Sequence, residues 1–117
     1  MIYMFAGCKS LKTLDLSSFN TENVTYMRYM LSDCISLTEL NIKNFNTTKV
    51  VDMKYMFKQC SSLKTLDLAH FEISTSTDMS YMFAGCSSLK LVILPKIVLT
   101  MSPTNMLSGT DAKVVYQ

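Results

Sequence analysis

The chain has no tryptophan, one histidine (His70), two prolines and three glycines among its 117 residues. Glycines at Gly7, Gly85 and Gly109 alone leave no phosphate-cradling glycine-rich loop. A zinc-type site would want close cysteine pairs together with histidines, and neither occurs. Long apolar runs are missing too. The most apolar stretch, Leu91 to Leu99, is broken by Pro95 and Lys96, so no segment has the length of a membrane-spanning helix. Charge is sparse at 17% with a net value of +2, far too little for a nucleic-acid footprint. A hydrophobic content of 49% excludes a disordered tail, and the length suits a single domain.

Against that sparse background stands a strict repeat. Cys8, Cys34, Cys60 and Cys86 recur every 26 residues. Each closes the same phrase: Tyr3-Met4-Phe5, Tyr29-Met30-Leu31, Tyr55-Met56-Phe57 or Tyr81-Met82-Phe83, with the cysteine three residues on. A Ser-Leu pair follows each time, from Ser10-Leu11 to Ser88-Leu89. An ungapped period over four copies marks a repeat architecture. Phe5-Ala6-Gly7-Cys8 has the look of a lipoprotein cleavage box, but no basic, apolar leader precedes it and the same words recur at Phe83-Ala84-Gly85-Cys86. It is read as repeat consensus, in a fragment of a longer array.

Two periodicities share a unit. Leu14, Asp15 and Leu16 alternate as a half-buried strand does. Val24, Met27, Met30, Leu31 and Cys34 then fall at three- and four-residue steps, which predicts a short helix, repeated as Val50, Met53, Met56, Phe57 and Cys60. The third unit carries Ser76 at the valine position. The expected fold is therefore an α/β solenoid with one short parallel strand and one short helix per 26-residue coil. Its core columns are Leu11/Leu37/Leu63/Leu89, Leu14/Leu40/Leu66/Val92, Leu16/Ile42/Leu68/Leu94 and Phe19/Phe45/Phe71/Ile97. The ten methionines are read as gap-filling core residues. The expected organisation is one domain over 1–117, with repeats at 3–28, 29–54, 55–80 and 81–106 and a divergent C-terminal cap at 107–117, where Met106-Leu107-Ser108-Gly109 echoes Met82-Phe83-Ala84-Gly85.

Cys-x-x-Leu-x-x-Leu-x-Leu, from Cys8 and again from Cys60, is similar to a leucine-rich repeat core. The longer phrase, Leu-Asp-Leu-Ser-x-Phe-x-Thr-x-x-Val followed by Met-x-x-Met-Phe-x-x-Cys, resembles the BspA-like class of bacterial surface proteins, which includes mycoplasma lipoproteins. The resemblance covers residues 1 to about 100. It departs at Val92 to Leu94, and at Ile73 and Ser76, which stand for the Thr21 and Val24 of the first copy. It implies a cell-surface or secreted protein whose arrays bind host or neighbour-cell molecules, with no cofactor and no stated ligand.

The side chains supply the candidate site. Thr13, Asp15, Glu39, Asn41, Thr65 and Asp67 point outward from successive strands and form a polar, mildly acidic face suited to a protein or glycan ligand. A solvated face of repeat consensus is the competing reading. The cysteine column is read as buried free thiols acting as small hydrophobes, although strands about 4.8 Å apart would also let neighbours pair. His70 shares its slot with Ser18, Asn44 and Lys96, a solvent-facing turn position. The Asp column shows no split in protonation of the kind acid/base work requires. The expectation is a non-enzymatic binding module without metal, the rival being a structural spacer that self-associates end to end through Met4, Phe5 and Leu11.

Overall fold

A computed structural model describes residues 1–117. It overturns the expected α/β solenoid of strand-plus-helix coils. The chain contains no α-helix; its only helical element is a five-residue 3-10 helix, Lys96–Thr100. Five short strands, β1 (Thr13–Asp15), β2 (Glu39–Asn41), β3 (Thr65–Asp67), β4 (Leu91–Leu94) and β5 (Lys113–Tyr116), form two small parallel sheets, β1-β2 and β3-β4-β5. The remaining backbone is turns and irregular structure, apart from single parallel bridges that join Tyr26 to Asp52 and Asp52 to Asp78.

Each strand is ended by its own last residue in the first three repeats. Asp15 Oδ1 accepts the Ser17 amide at 2.9 Å, Asn41 Oδ1 that of Lys43 at 3.2 Å, and Asp67 Oδ1 that of Ala69 at 3.0 Å. Such Asx turns turn the chain away from the ladder. Within a sheet the repeats pair in register, Leu14 opposite Leu40 and Leu66 opposite Val92.

The segments expected to be helical fold as tandem turns. Tyr3, Tyr29, Tyr55 and Tyr81 all sit in the left-handed region, with φ of 57°, 56°, 57° and 56°. A left-handed residue cannot continue an α-helix. Four residues on, Gly7, Asp33, Gln59 and Gly85 repeat the conformation. Amides then alternate in their partners. Those of Tyr29, Leu31 and Asp33 cross to the carbonyls of Lys54, Met56 and Lys58 in the next repeat, whereas those of Met30 and Ser32 close local turns onto Met27 and Tyr29. Three- and four-residue apolar spacing thus serves tandem turns as well as it serves a helix.

Those turns point Met27, Met30, Met53, Met56, Met79 and Met82 inward, each at most 1% exposed. They pack with Leu31, the Phe57–Phe83 stack (5.7 Å between centroids), and the Leu37, Leu63 and Leu89 column. Burying each such side chain contributes about 1.5–3 kcal/mol. Buried hydroxyls tie the repeats where carbon cannot. Thr47 Oγ1 donates to the Glu72 carbonyl at 3.0 Å and accepts its amide at 2.8 Å, as Thr21 does with Asn46.

Two core assignments move by one residue. Thr77, not Ser76, fills the place of Val50: its amide bonds Ser74 as that of Val50 bonds Thr47, and it is buried while Ser76 is exposed. After Pro95 the 3-10 helix turns Val98 inward (2% exposed) and leaves Ile97 outside at 37%, so Val98 succeeds Phe71.

The turn geometry sets opposite signs for two substitutions. Gly85→Ala puts a Cβ against the Gln59 side chain at φ +74° and is expected to cost about 1–2 kcal/mol. Exposed Gln59→Gly removes similar left-handed strain, partly offset by about 0.5–1 kcal/mol of chain entropy, and should be neutral to stabilising. Urea midpoints decide; an unchanged midpoint for Gly85→Ala contradicts the turn assignment. Thr47→Val keeps the shape but strands two backbone groups of Glu72, with an expected loss of about 1–3 kcal/mol in the same assay.

Candidate functional site

The predicted site residues lie on the strand face, but not as one patch. Register places Thr13 beside Glu39 and Asp15 beside Asn41 in the first sheet, while Thr65 and Asp67 stand on the second beside Leu91 and Ile93. Thr13, Asp15, Glu39, Thr65 and Asp67 are exposed and Asn41 is half-buried. A hollow of about 250 Å³ lies over Thr13, Leu14, Asp15, Glu39, Leu40 and Asn41. The Asp15 carboxyl is held below the usual range, first by the Ser17 hydroxyl and amide, with Lys43 and Asn41 adding to them. It is an anionic cap as well as a surface group.

A larger hollow of about 340 Å³ separates the sheets, lined on one side by Leu40, Asn41, Ile42 and Lys43 and on the other by Thr65, Leu66, Asp67 and His70. Here the strand side of the molecule opens. His70 reaches over its end, Nε2 lying 3.1 Å from the Ile42 carbonyl. Sequence reasoning set His70 aside as a turn residue, left Lys43 out of the site, assigned Ile42 to the core, and missed the opening itself. The differing residues at the His70 slot carried the only signal, since Asn44 spans the first step instead, donating to the Ser17 carbonyl at 2.7 Å.

The opposite, turn side is continuous. Tyr3, Tyr29, Tyr55 and Tyr81 stack face to face with centroids 4.7, 4.6 and 5.0 Å apart and ring planes within 10°. Asn105, left-handed at φ 49°, ends the column by donating to the Tyr81 hydroxyl at 2.9 Å. Burial, then the flanking Tyr55 and Tyr3, push the Tyr29 hydroxyl up. Beside the rings, Arg28 pairs with Asp52 (3.2 Å) and Lys54 with Asp78 (3.7 Å), each one repeat on. The 26-residue recurrence of tyrosine was legible in the sequence; the face-to-face stacking of the rings was not.

All four cysteines are free thiols. Cys34, Cys60 and Cys86 are buried and donate to the carbonyls of Phe5, Leu31 and Phe57 at 3.2, 3.1 and 3.0 Å. Burial pushes all three up, Cys86 to about 11. Cys8, in the first repeat, is only half-buried. No group of three or more His, Cys, Asp or Glu side chains converges as metal ligands would. No helix is long and apolar enough to cross a membrane.

Residues 1–97 match a family described as "Mycoplasma protein of unknown function, DUF285". No curated protein and no solved structure matches the chain.

The thiol column predicts its own chemistry. Under native conditions at pH 8 a thiol-specific disulfide reagent should titrate Cys8 rapidly, and Cys34, Cys60 and Cys86 only as the chain unfolds. Rapid native labelling of more than one thiol contradicts the buried column.

Proposed function

From the premise that this chain belongs to the Mycoplasma DUF285 family of unknown function, we propose that it is a non-enzymatic, surface-exposed binding module that adheres to a host or neighbour-cell protein or glycan. The carrying observation is the strand face. Six polar positions, Thr13, Asp15, Glu39, Asn41, Thr65 and Asp67, surround two hollows of about 250 and 340 Å³, and their charge comes from Asp15, Glu39 and Asp67. The BspA-like phrase, which the unit from Cys8 to Cys34 carries but for Leu31 at the phenylalanine, supports the same reading, together with a cell-surface or secreted setting. The one histidine bonds a backbone carbonyl rather than a hydroxyl or thiol nucleophile.

A second reading, end-to-end self-association, has its own observation. Tyrosines of successive repeats stack ring on ring at 4.6–5.0 Å, a contact that equivalent tyrosines of a second copy would extend.

The two separate on a panel of extracellular-matrix proteins and a glycan array. Binding is expected for the chain and lost in Thr13→Lys/Glu39→Lys/Thr65→Lys, whose side chains hold no hydrogen bond within the protein. Asp15→Lys/Asn41→Lys/Asp67→Lys should lose it as well, with lower stability because three strand-ending turns go. Binding that survives both triple variants excludes the strand face. A silent panel, joined with concentration-dependent mass in light scattering that Tyr3→Ser abolishes, favours self-association instead.

A further inference from the structure

Backbone hydrogen bonds tie successive repeats on the strand side at every step but one, where the side chains of His70 and Ser62 cross instead, to the carbonyls of Ile42 and Ile35. Between the first and second, Thr38 and Glu39 amides bond the Lys12 carbonyl, the β1-β2 ladder follows, and the Leu16 amide bonds Asn41. Between the third and fourth, Lys90, Leu91 and Leu68 make the same bonds around the β3-β4 ladder. Between the second and third there is no ladder, and the amides of Thr65 and Ile42 have no counterpart bonds. Most Cα separations between β2 and β3 exceed 8 Å. The turn side of this same step is fully bonded, Met53 to Asp78, Tyr55 to Ser80, Phe57 to Met82 and Gln59 to Ala84. The molecule is open like a wedge, with two parallel strand edges facing each other across it.

A strand paired on both sides needs flanks about 9.6 Å apart, twice the ladder spacing. Edges with unpaired N–H and C=O groups recruit extended chain. Resting on the strand-face reading above, we propose that the wedge between β2 and β3 receives an extended polypeptide segment of a partner, inserted as the missing middle strand. Alternation fixes the partner's chemistry. Its central side chain turns inward between Leu40 and Leu66, which are half-buried and buried, and so is apolar. Its neighbours turn outward between exposed Glu39 and Asp67 and are basic. Lys43 and His70 stand at the far end, His70 on the Ile42 carbonyl that the segment would pass.

The probe is a capped synthetic peptide of sequence Thr-Lys-Val-Lys-Thr, titrated into the isotope-labelled chain, with amide shifts and hydrogen exchange read residue by residue. In the free chain, Ile42 and Thr65 amides should exchange at least about tenfold faster than their laddered equivalents Leu68 and Leu91. The peptide should shift and slow the seam amides of Leu40, Ile42, Thr65 and Asp67. Methylating the peptide's valine and second lysine amides removes backbone bonds and keeps the side chains. That should weaken binding by roughly tenfold or more, two bonds at about 0.5–1.5 kcal/mol each. Seam amides already slow in the free chain, equal binding of the methylated peptide, or no seam response to the parent peptide would each overturn the insertion. A glycan that shifts the seam amides where the peptide does not overturns it while sparing the strand-face reading. Peptide insertion beside a silent panel keeps the strand face as the binding site and sinks only its assignment to matrix-protein or glycan ligands.

Discussion

The constraint that everything else answers to is the alternation of amides along each turn segment. One amide folds back three residues and the next crosses to the neighbouring repeat. Backbone groups buried without water must find such partners, and here neither helix nor long sheet supplies them. The alternation demands a left-handed residue at every tyrosine and again four residues later. It also sorts the side chains, sending methionine, phenylalanine and cysteine inward and tyrosine outward into a stack. Cys34, Cys60 and Cys86, each at the end of its segment, complete the accounting, since their thiols reach back to a carbonyl of the repeat before.

The two sides of a repeat are held unequally. On the turn side the bonding runs unbroken from Tyr3 to Gly85 and is reinforced by stacked rings and two inter-repeat ion pairs of modest worth. On the strand side each ladder is only three or four residues long, so losing one step costs few bonds. A wedge can therefore exist without dividing the hydrophobic cluster, which spans both sheets. Asp15, Asn41 and Asp67 meanwhile serve the fold as caps whatever else they meet, so a polar column in the sequence is by itself no measure of function.

What was legible followed from period. The strand positions and most of the buried Leu and Met positions could be placed because a 26-residue recurrence fixes which residues meet. Local geometry was less accessible. Apolar residues such as Met27, Met30, Leu31 and Cys34 satisfy a helix and a pair of turns alike, and tyrosine is a poor advertisement for a left-handed backbone. The shifts to Thr77 and Val98 arise from one extra residue absorbed locally, invisible to an alignment held at constant spacing. Of the candidate site, the outward residues were legible. The break between β2 and β3 was not, because Leu40 and Leu66 match their columns and only distance distinguishes that step.

Through the first four units the bonds that join neighbours span intervals near one period: 25 residues for the turn amides, 26 for the ladders and 29 for the thiols; at the last step the turn amides span 23 and the ladder 22. Interactions of that reach make repeat number a quantised variable. Excision or duplication of a whole 26-residue unit re-forms the same contacts one step along, whereas a change of a few residues has to be absorbed within a single step, as the shorter last step of this chain absorbs one. Recombination between equivalent codons of two units is thus the mutational route this architecture leaves open, and it would change how many wedges, hollows and stacked rings a chain displays without redesigning any one of them.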